Sequence, residues 1–415
     1  MIATVVFSWP KMIVGRLFPS FESRDFRFLW LANVTGSMGM TMSMLTQGWL
    51  VLTVTDSPFW VGAVMGARGI GVVAFGAFGG VLADRVDRRH ILVGIHWIRA
   101  VSALLLGILV ILDVITLFHI LAVVFIQGIM QAFFIPANNA LIYDTVGPQR
   151  ILNANAARMT GFNISRIVGS IIVGIVIAAL GIGWAYIGIA IVWVITPIFV
   201  VMVRVGMSNN PAQSEPIWKN LSEGVKYAFG GGRRIGSLLF LSLLIETFGF
   251  SYIVMLPVVA RDVLGLDEIG FGLLSGASGV GALVGTMIVA SLGDFKRIGF
   301  LLVITVGASG VGVLLFALSS WVYLSMLIIA FIGASLMAYD ATMAASLQII
   351  SSGEMRGRIM GLYGLTFGFT PLGGFIAGLV ASVLSVSFAI GLGGSVIIIC
   401  NLLTHRMFKG IVRSG

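Results

Sequence analysis

Runs of about twenty apolar residues, broken by short polar gaps, recur along almost the whole chain. A hydrocarbon core about 30 Å thick takes roughly 20 apolar residues of α-helix, so each run has the length of a membrane span. Twelve spans are expected, centred near residues 40, 70, 102, 130, 170, 195, 247, 280, 308, 335, 368 and 396. Membrane β-barrels alternate polar and apolar positions and produce no such runs, which excludes them. Residues 205–234 are the one long polar stretch, and the opening residues 1–23 are interrupted by Pro10, Lys11 and Arg16. The expected division is therefore an interfacial or cytoplasmic segment (1–23), a six-helix bundle (24–204), a cytoplasmic linker (205–234), a second six-helix bundle (235–408) and a cytoplasmic tail (409–415). The opening segment is too broken to read as a cleaved signal peptide.

The apolar pattern is written twice. Displaced by 210 residues, VGAVMGARGIG (61–71) aligns with FGLLSGASGVG (271–281), so that Gly62, Gly66, Gly69 and Gly71 fall on Gly272, Gly276, Gly279 and Gly281. Leu82 and Asp84 fall on Leu292 and Asp294 in the same register. Six spans separate the two copies, so both run in the same direction and the halves are parallel repeats. Small residues every third or fourth position also let helices approach closely in lipid, which accounts for the glycines but not for the carboxylate at the end of each copy.

Composition agrees with this reading. The 415 residues are 58% hydrophobic and 10% charged, with a mean hydropathy of +1.07, too apolar for a soluble surface. The net charge of +9 is not a nucleic-acid signal, because the Lys and Arg residues gather in alternate gaps and at the ends. Arg261 is the only basic residue of the other gaps, so both termini are expected in the cytoplasm. A single cysteine, Cys400, leaves no intramolecular disulfide and no cysteine metal site. No glycine-rich stretch ends in the Lys-Ser/Thr of a phosphate loop, so the chain carries no ATP motor. Neither a metal nor another cofactor is expected, and no catalytic residue for bond chemistry.

Charge concentrates where the spans end in GGVLADRVDRR (79–89) and ASLGDFKR (290–297). Asp84 and Asp294 are read as latches that bond exposed N–H groups at a helix start in the opposite half and hold the cytoplasmic side shut. Arg85, Arg88, Arg89, Lys296 and Arg297 would pair with acids or face anionic lipid, and Asp144, near Arg150 and Arg158, would join the same network. The bland alternative, that basic residues only obey the charge bias of cytoplasmic loops, does not account for the aspartates.

Inside the membrane an ionisable group costs about 2.5 to 3.5 kcal/mol at mid-helix, and each one asks for a partner or a water-filled cavity. Glu246 in span 7 and Asp340 in span 10 are the candidate proton carriers. Arg68 in span 2 and Arg166 in span 5 are candidates for tuning them or for binding an anionic group of the substrate. Arg68 breaks the repeat, which has Ser278 in its place. A static Glu–Arg pair across the halves is the competing explanation.

Span 4 places Gln127, Gln131, Phe134 and Asn138 on one stripe, at about 0°, 40°, −20° and 20° on a 100° wheel. Span 1 has a second stripe in Asn33, Ser37, Met40, Met44 and Gln47. Both stripes suit a cavity wall of amides and flexible methionines, although amide bonding between packed helices explains the same pattern. Pro136 and Pro371 are expected to kink spans 4 and 11, and His96 is read as structural.

The segment Gly80-Val-Leu-Ala-Asp84-Arg85-Val-Asp87-Arg88-Arg89 resembles the loop 2–3 signature of the major facilitator superfamily, with Asp87 where that pattern has glycine. RDFRFLWLANVTGSMG (24–39), PANNALIYDTV (136–146), NANAARMTGFNISRIVG (153–169) and RGRIMGLYGLTFGFTPLGG (356–374) are similar to its enterobactin-exporter-like and macrolide-efflux-like branch. The resemblance implies an all-α membrane protein of two pseudo-symmetric six-helix bundles that exports small organic molecules, driven by a proton gradient. Span 5 departs from the antiporter pattern, with Ser170 after Gly169 where the pattern has proline. The expected function is thus secondary active transport by alternating access in the plasma (inner) membrane, proton-coupled efflux of a drug-like or siderophore-like molecule by a monomer. Uptake of an organic anion, lipid translocation by the same fold, or a non-transporting receptor or scaffold are the alternatives.

Overall fold

The computed structural model describes residues 19–204, 217–230, 233–292 and 297–409. Among these residues there is no strand, and helices follow one another with connections of a few residues. The first half contains α1 (Arg24–Thr55), α2 (Pro58–Arg85), α3 (Arg88–Ile111), α4 (Leu117–Val146), α5 (Ile151–Leu180) and α6 (Ile182–Val201). A shorter helix, α7 (Ile217–Gly230), follows. The second half contains α8 (Arg234–Val263), α9 (Glu268–Ser291), α10 (Ile298–Leu318), α11 (Val322–Ile350), α12 (Arg356–Val383) and α13 (Val386–Lys409).

Eleven of these, α2 to α6 and α8 to α13, are long and apolar enough to cross a membrane. The remaining expected span is α1, whose 32 residues reach about 48 Å at 1.5 Å per residue. It is less apolar because it carries Asn33, Thr35, Ser43, Thr46 and Gln47, which it turns toward its neighbours. Large side chains such as Val73, Phe118 and Leu327 are instead more than two-thirds exposed, as a surface facing lipid requires.

The helix ends follow local rules. Ser23 caps α1 by accepting the Phe26 N–H, and Asp267 caps α9 through the Gly270 N–H. Between α2 and α3, Asp87 accepts the Arg89 N–H at 2.9 Å. The aspartate that departs from the family signature is therefore the cap of α3.

The two halves use the same helix pairings. Within each, the second helix packs along the fourth (α2 on α4, α9 on α11) and the third along the sixth (α3 on α6, α10 on α13). The repeated glycines explain the match. A Cβ on Gly71 would meet the carbonyl oxygen of Phe125 at 2.6 Å, and one on Gly281 would strike that of Ala330. Gly62 and Gly272 serve the other interface: Gly62 meets Gly374 and Gly378 of α12, and Gly272 meets Ser170 and Gly174 of α5. The halves are thus held together by α2 against α12 and α5 against α9, glycine face to glycine face.

Those contacts lie at the end remote from the two chain termini. Trp49 stacks on Phe271 there at 5.2 Å, and Arg261 pairs with Asp56 across the halves at 2.5 Å. Arg261, the one basic residue of its set of gaps, is thus spent on closing the far end.

The polar segment 205–234 differs from a plain linker: residues 205–216 lie outside the described residues, but α7 is a helix docked on the second bundle. Gly224 packs against Leu362 and Arg358, and Glu223 pairs with Arg358 at 2.7 Å.

Candidate substrate and proton site

Midway along α8 the regular helix gives way to a π turn at Ile245–Gly249. Opposite it, α12 tightens into a 3-10 turn at Phe367–Phe369 just before Thr370 and Pro371. Such distortions free backbone groups and re-aim side chains, and they gather at functional places in helices. Here the two meet. Thr370 donates its hydroxyl to Glu246 Oε2 at 2.7 Å, while Gly373 lets α12 close on the Thr247 carbonyl.

Glu246 is 2% exposed, and its Oε1 has no hydrogen-bond partner. Asp340, on α11, is partly exposed and accepts the Tyr363 hydroxyl at 3.3 Å. Both carboxyls bond side chains of α12, Glu246 through Thr370 and Asp340 through Tyr363. Neither forms an ion pair among the described residues, so the static Glu–Arg pair across the halves is absent.

The cations sit in the other bundle. Arg166 of α5 is partly exposed and donates to Ser278 Oγ of α9 at 2.6 Å, and Ser278 also lies 3.0 Å from the Tyr252 hydroxyl. Arg68 of α2 is buried with no hydrogen-bond or ion-pair partner among the described residues. Arg99 of α3, 3% exposed, donates to Gln131 Oε1 at 2.8 Å, one turn along α4 from the Gly128 that packs on the Arg68 backbone, and lies over the rings of Phe134 and Trp193 at 5.2 and 5.9 Å. The sequence analysis missed Arg99. It stands at the centre of span 3, so the criterion that selected Arg68 and Glu246 selects it too.

The α1 and α4 stripes do face each other. Gln47 donates to Gln127 at 2.7 Å in full burial, and Asn138 donates to Asn33 at 2.9 Å. Gln47 and Gln127 act as a clamp between helices, while Asn33, Ser37 and Met40 remain partly exposed and Met44 packs against the core beside them. Gln131 and Phe134 hold Arg99. His96 is buried against Phe134 and Gly36.

The expected gate is placed differently from the sequence reading. Arg88 pairs with Asp144, and Arg89 pairs with Asp87 at 2.7 Å and donates to the Val203 carbonyl at 3.1 Å, all within the first bundle. Hydrogen bonding from Arg89 holds the Asp87 carboxyl below its ordinary pKa. Arg150 turns to Glu22 at 2.8 Å rather than to Asp144, because the start of α5 packs on the turn before α1. Arg85 and Arg297 are exposed, while the Asp84 side chain, Asp294 and Lys296 lie outside the described residues.

A family model described as transmembrane secretion effector matches residues 16–410. The chain belongs to this family of major facilitator transporters. It is a multi-pass integral membrane transporter and not an enzyme. It is 24% identical to the staphyloferrin A transporter of Staphylococcus aureus over 366 residues, covering 86% of this chain and 88% of that protein. It is likewise 24% identical to macrolide efflux protein A of Streptococcus pyogenes (82% and 86% covered) and to an enterobactin exporter of Shigella boydii (92% and 93% covered). Among solved structures, a nucleoside transporter superposes with a TM-score of 0.75 at 15% identity, covering 93% of this transporter and all of that chain. A peptide-transporter-family protein does so with 0.76 at 13% identity, covering 94% and 96%. These two likenesses concern the fold alone.

Proposed function

We propose that this transporter exports a small organic molecule in exchange for protons, with Glu246 and Asp340 as the proton-carrying pair. The observation that carries the reading is the setting of Glu246: a carboxyl in mid-membrane, bonded only to a hydroxyl, with no cation among the described residues to hold its charge. A group so placed is suited to taking up and releasing a proton as its surroundings change. The partly exposed Asp340 supplies the way to water. The π turn of α8 and the 3-10 turn of α12 give the site two elements that can change shape.

The places where the described bundles touch support alternating access. Glycine faces and the Arg261–Asp56 pair close the far end, while the charges around α2, α3 and α4 at the termini end pair inside their own bundle. With basic loops toward the cytoplasm, these described contacts lie on the far side of the membrane, which suits a bundle pair that opens inward. Partly exposed Asn33, Ser37 and Met40 on α1 then border the space between the bundles. Export agrees with the likeness to a macrolide efflux protein and an enterobactin exporter.

The test is proton flux in sealed vesicles of known orientation, followed with an internal pH dye while cationic, zwitterionic and anionic compounds are added. Substrate-dependent flux that Glu246→Gln abolishes is the expected result. Full gradient-driven transport by Glu246→Gln would remove Glu246 from the mechanism.

A further inference from the structure

We propose that Arg68 and Arg99 form an oxyanion-binding subsite, and that the exported molecule is an organic anion carrying carboxylate-type oxygens. The inference rests on the transport reading above and names the substrate class of that site. Both arginines are at least nine-tenths buried as whole residues, at 9% and 3% exposure. Burying a cation is costly unless an anion or several strong acceptors compensate it. Arg68 has no partner among the described residues, and Arg99 has one neutral amide oxygen and two aromatic faces. The acids of the membrane interior, Glu246 and Asp340, belong to the other bundle and pair with neither. The two arginines also flank one stretch of α4, where Gly128 packs on the Arg68 backbone and Gln131, one turn on, holds Arg99, so one anion between them relieves both.

The internal repeat shows that packing does not ask for these residues. Arg68 corresponds to Ser278, and the same displacement of 210 places Arg99 on Ser309. The register is exact in α3 and α10, where Leu92, Ala103 and Leu106 and their mates Leu302, Val313 and Phe316 are all buried. Backbone approach is conserved as well: a Cβ on Gly128 would strike the Arg68 carbonyl, and one on Gly333 would strike that of Ser278. Helices of the same shape thus pack equally well around serine. What two arginines add is charge and a planar fork of donors that fits a carboxylate in two-point contact. The rings of Phe134 and Trp193 hold Arg99 in place for that contact.

The second half also supplies the least disruptive variants, Arg68→Ser and Arg99→Ser. Full-length protein in proteoliposomes would be loaded with carboxyfluorescein or with a cationic rhodamine ester on the same ring skeleton. In parallel, melting in detergent would be followed with phthalate and its neutral diamide. Expected are proton-driven movement of carboxyfluorescein in preference to the rhodamine, and a rise in melting temperature with phthalate but not the diamide. Each serine variant should slow carboxyfluorescein movement about ten-fold or more and raise by a similar factor the phthalate concentration needed for a given melting shift, the loss of a charge-assisted pair. Lysine at position 68 should restore part of the effect. Carboxyfluorescein moved at the wild-type rate by both serine variants, preference for the rhodamine, or no arginine-dependent effect of any carboxylate would overturn the assignment. Arginine-dependent melting shifts without proton-driven flux would instead sink the exporter reading and leave the oxyanion site standing.

Discussion

Glu246, Arg68 and Arg99 share one physical situation, an ionisable side chain in apolar surroundings, and it is legible from sequence because nothing else in a membrane span looks like it. Their partners are less legible. Gln47 and Gln127 lie 80 residues apart and were equally compatible with lining a cavity; the structure buries both and bonds them at 2.7 Å. In a double-mutant cycle with leucine at each position, the coupling is expected near 0.6 kcal/mol, the average for such pairs in membranes. Asp87 is a second case. Its side chain caps α3 and is bonded by Arg89, so Asp87→Ala should cost about 1 kcal/mol, read as a lower melting temperature at neutral pH. Because the folded carboxyl sits below its ordinary pKa, the stability it contributes is complete above the usual carboxylate range and is lost as the pH falls through the folded value. The gap between wild type and variant should therefore narrow in acid.

At the scale of elements, span positions were readable from apolar run length, and the one surprise of composition, the polar face of α1, reflects bonds to α4 and α6. Irregular turns were not readable with the same certainty. Pro371 marked the distortion of α12, but nothing in IETFG marks the π turn of α8, since its cause is the fit of α8 against α12 and α13. Gly373 is the point where that fit is tightest. Gly373→Val would drive a side chain into the Thr247 carbonyl and force the two helices apart, at about 1 to 3 kcal/mol. Because Glu246 and Thr370 sit on the helices being separated, transport should fall by more than the loss of folded protein, measured as flux per unit of correctly inserted transporter.

The whole molecule is two copies of one bundle held by two glycine-lined seams at the end remote from the termini. If the bundles rock about the site, those seams must open. Removing the lone cysteine with Cys400→Ser gives a clean background for Gly48→Cys with Pro257→Cys, positions across the halves at the same end whose Cβ atoms would lie 3.9 Å apart in this state, within disulfide reach. Oxidation should form the disulfide readily and stop transport, and reduction should restore it. Continued transport with the bond formed would show that this end stays shut through the cycle.

The sequence by itself determined the membrane environment, the repeat, the family and the intramembrane charges, because each depends on local composition or on register along one chain. Tertiary structure decided which charge meets which: Arg88 with Asp144, Arg150 with Glu22, Arg166 with Ser278. It also left Glu246 and Asp340 without an ion pair among the described residues. Pairing is set by helix rotation and by which helices are neighbours, and an apolar run of a given length is compatible with many rotations.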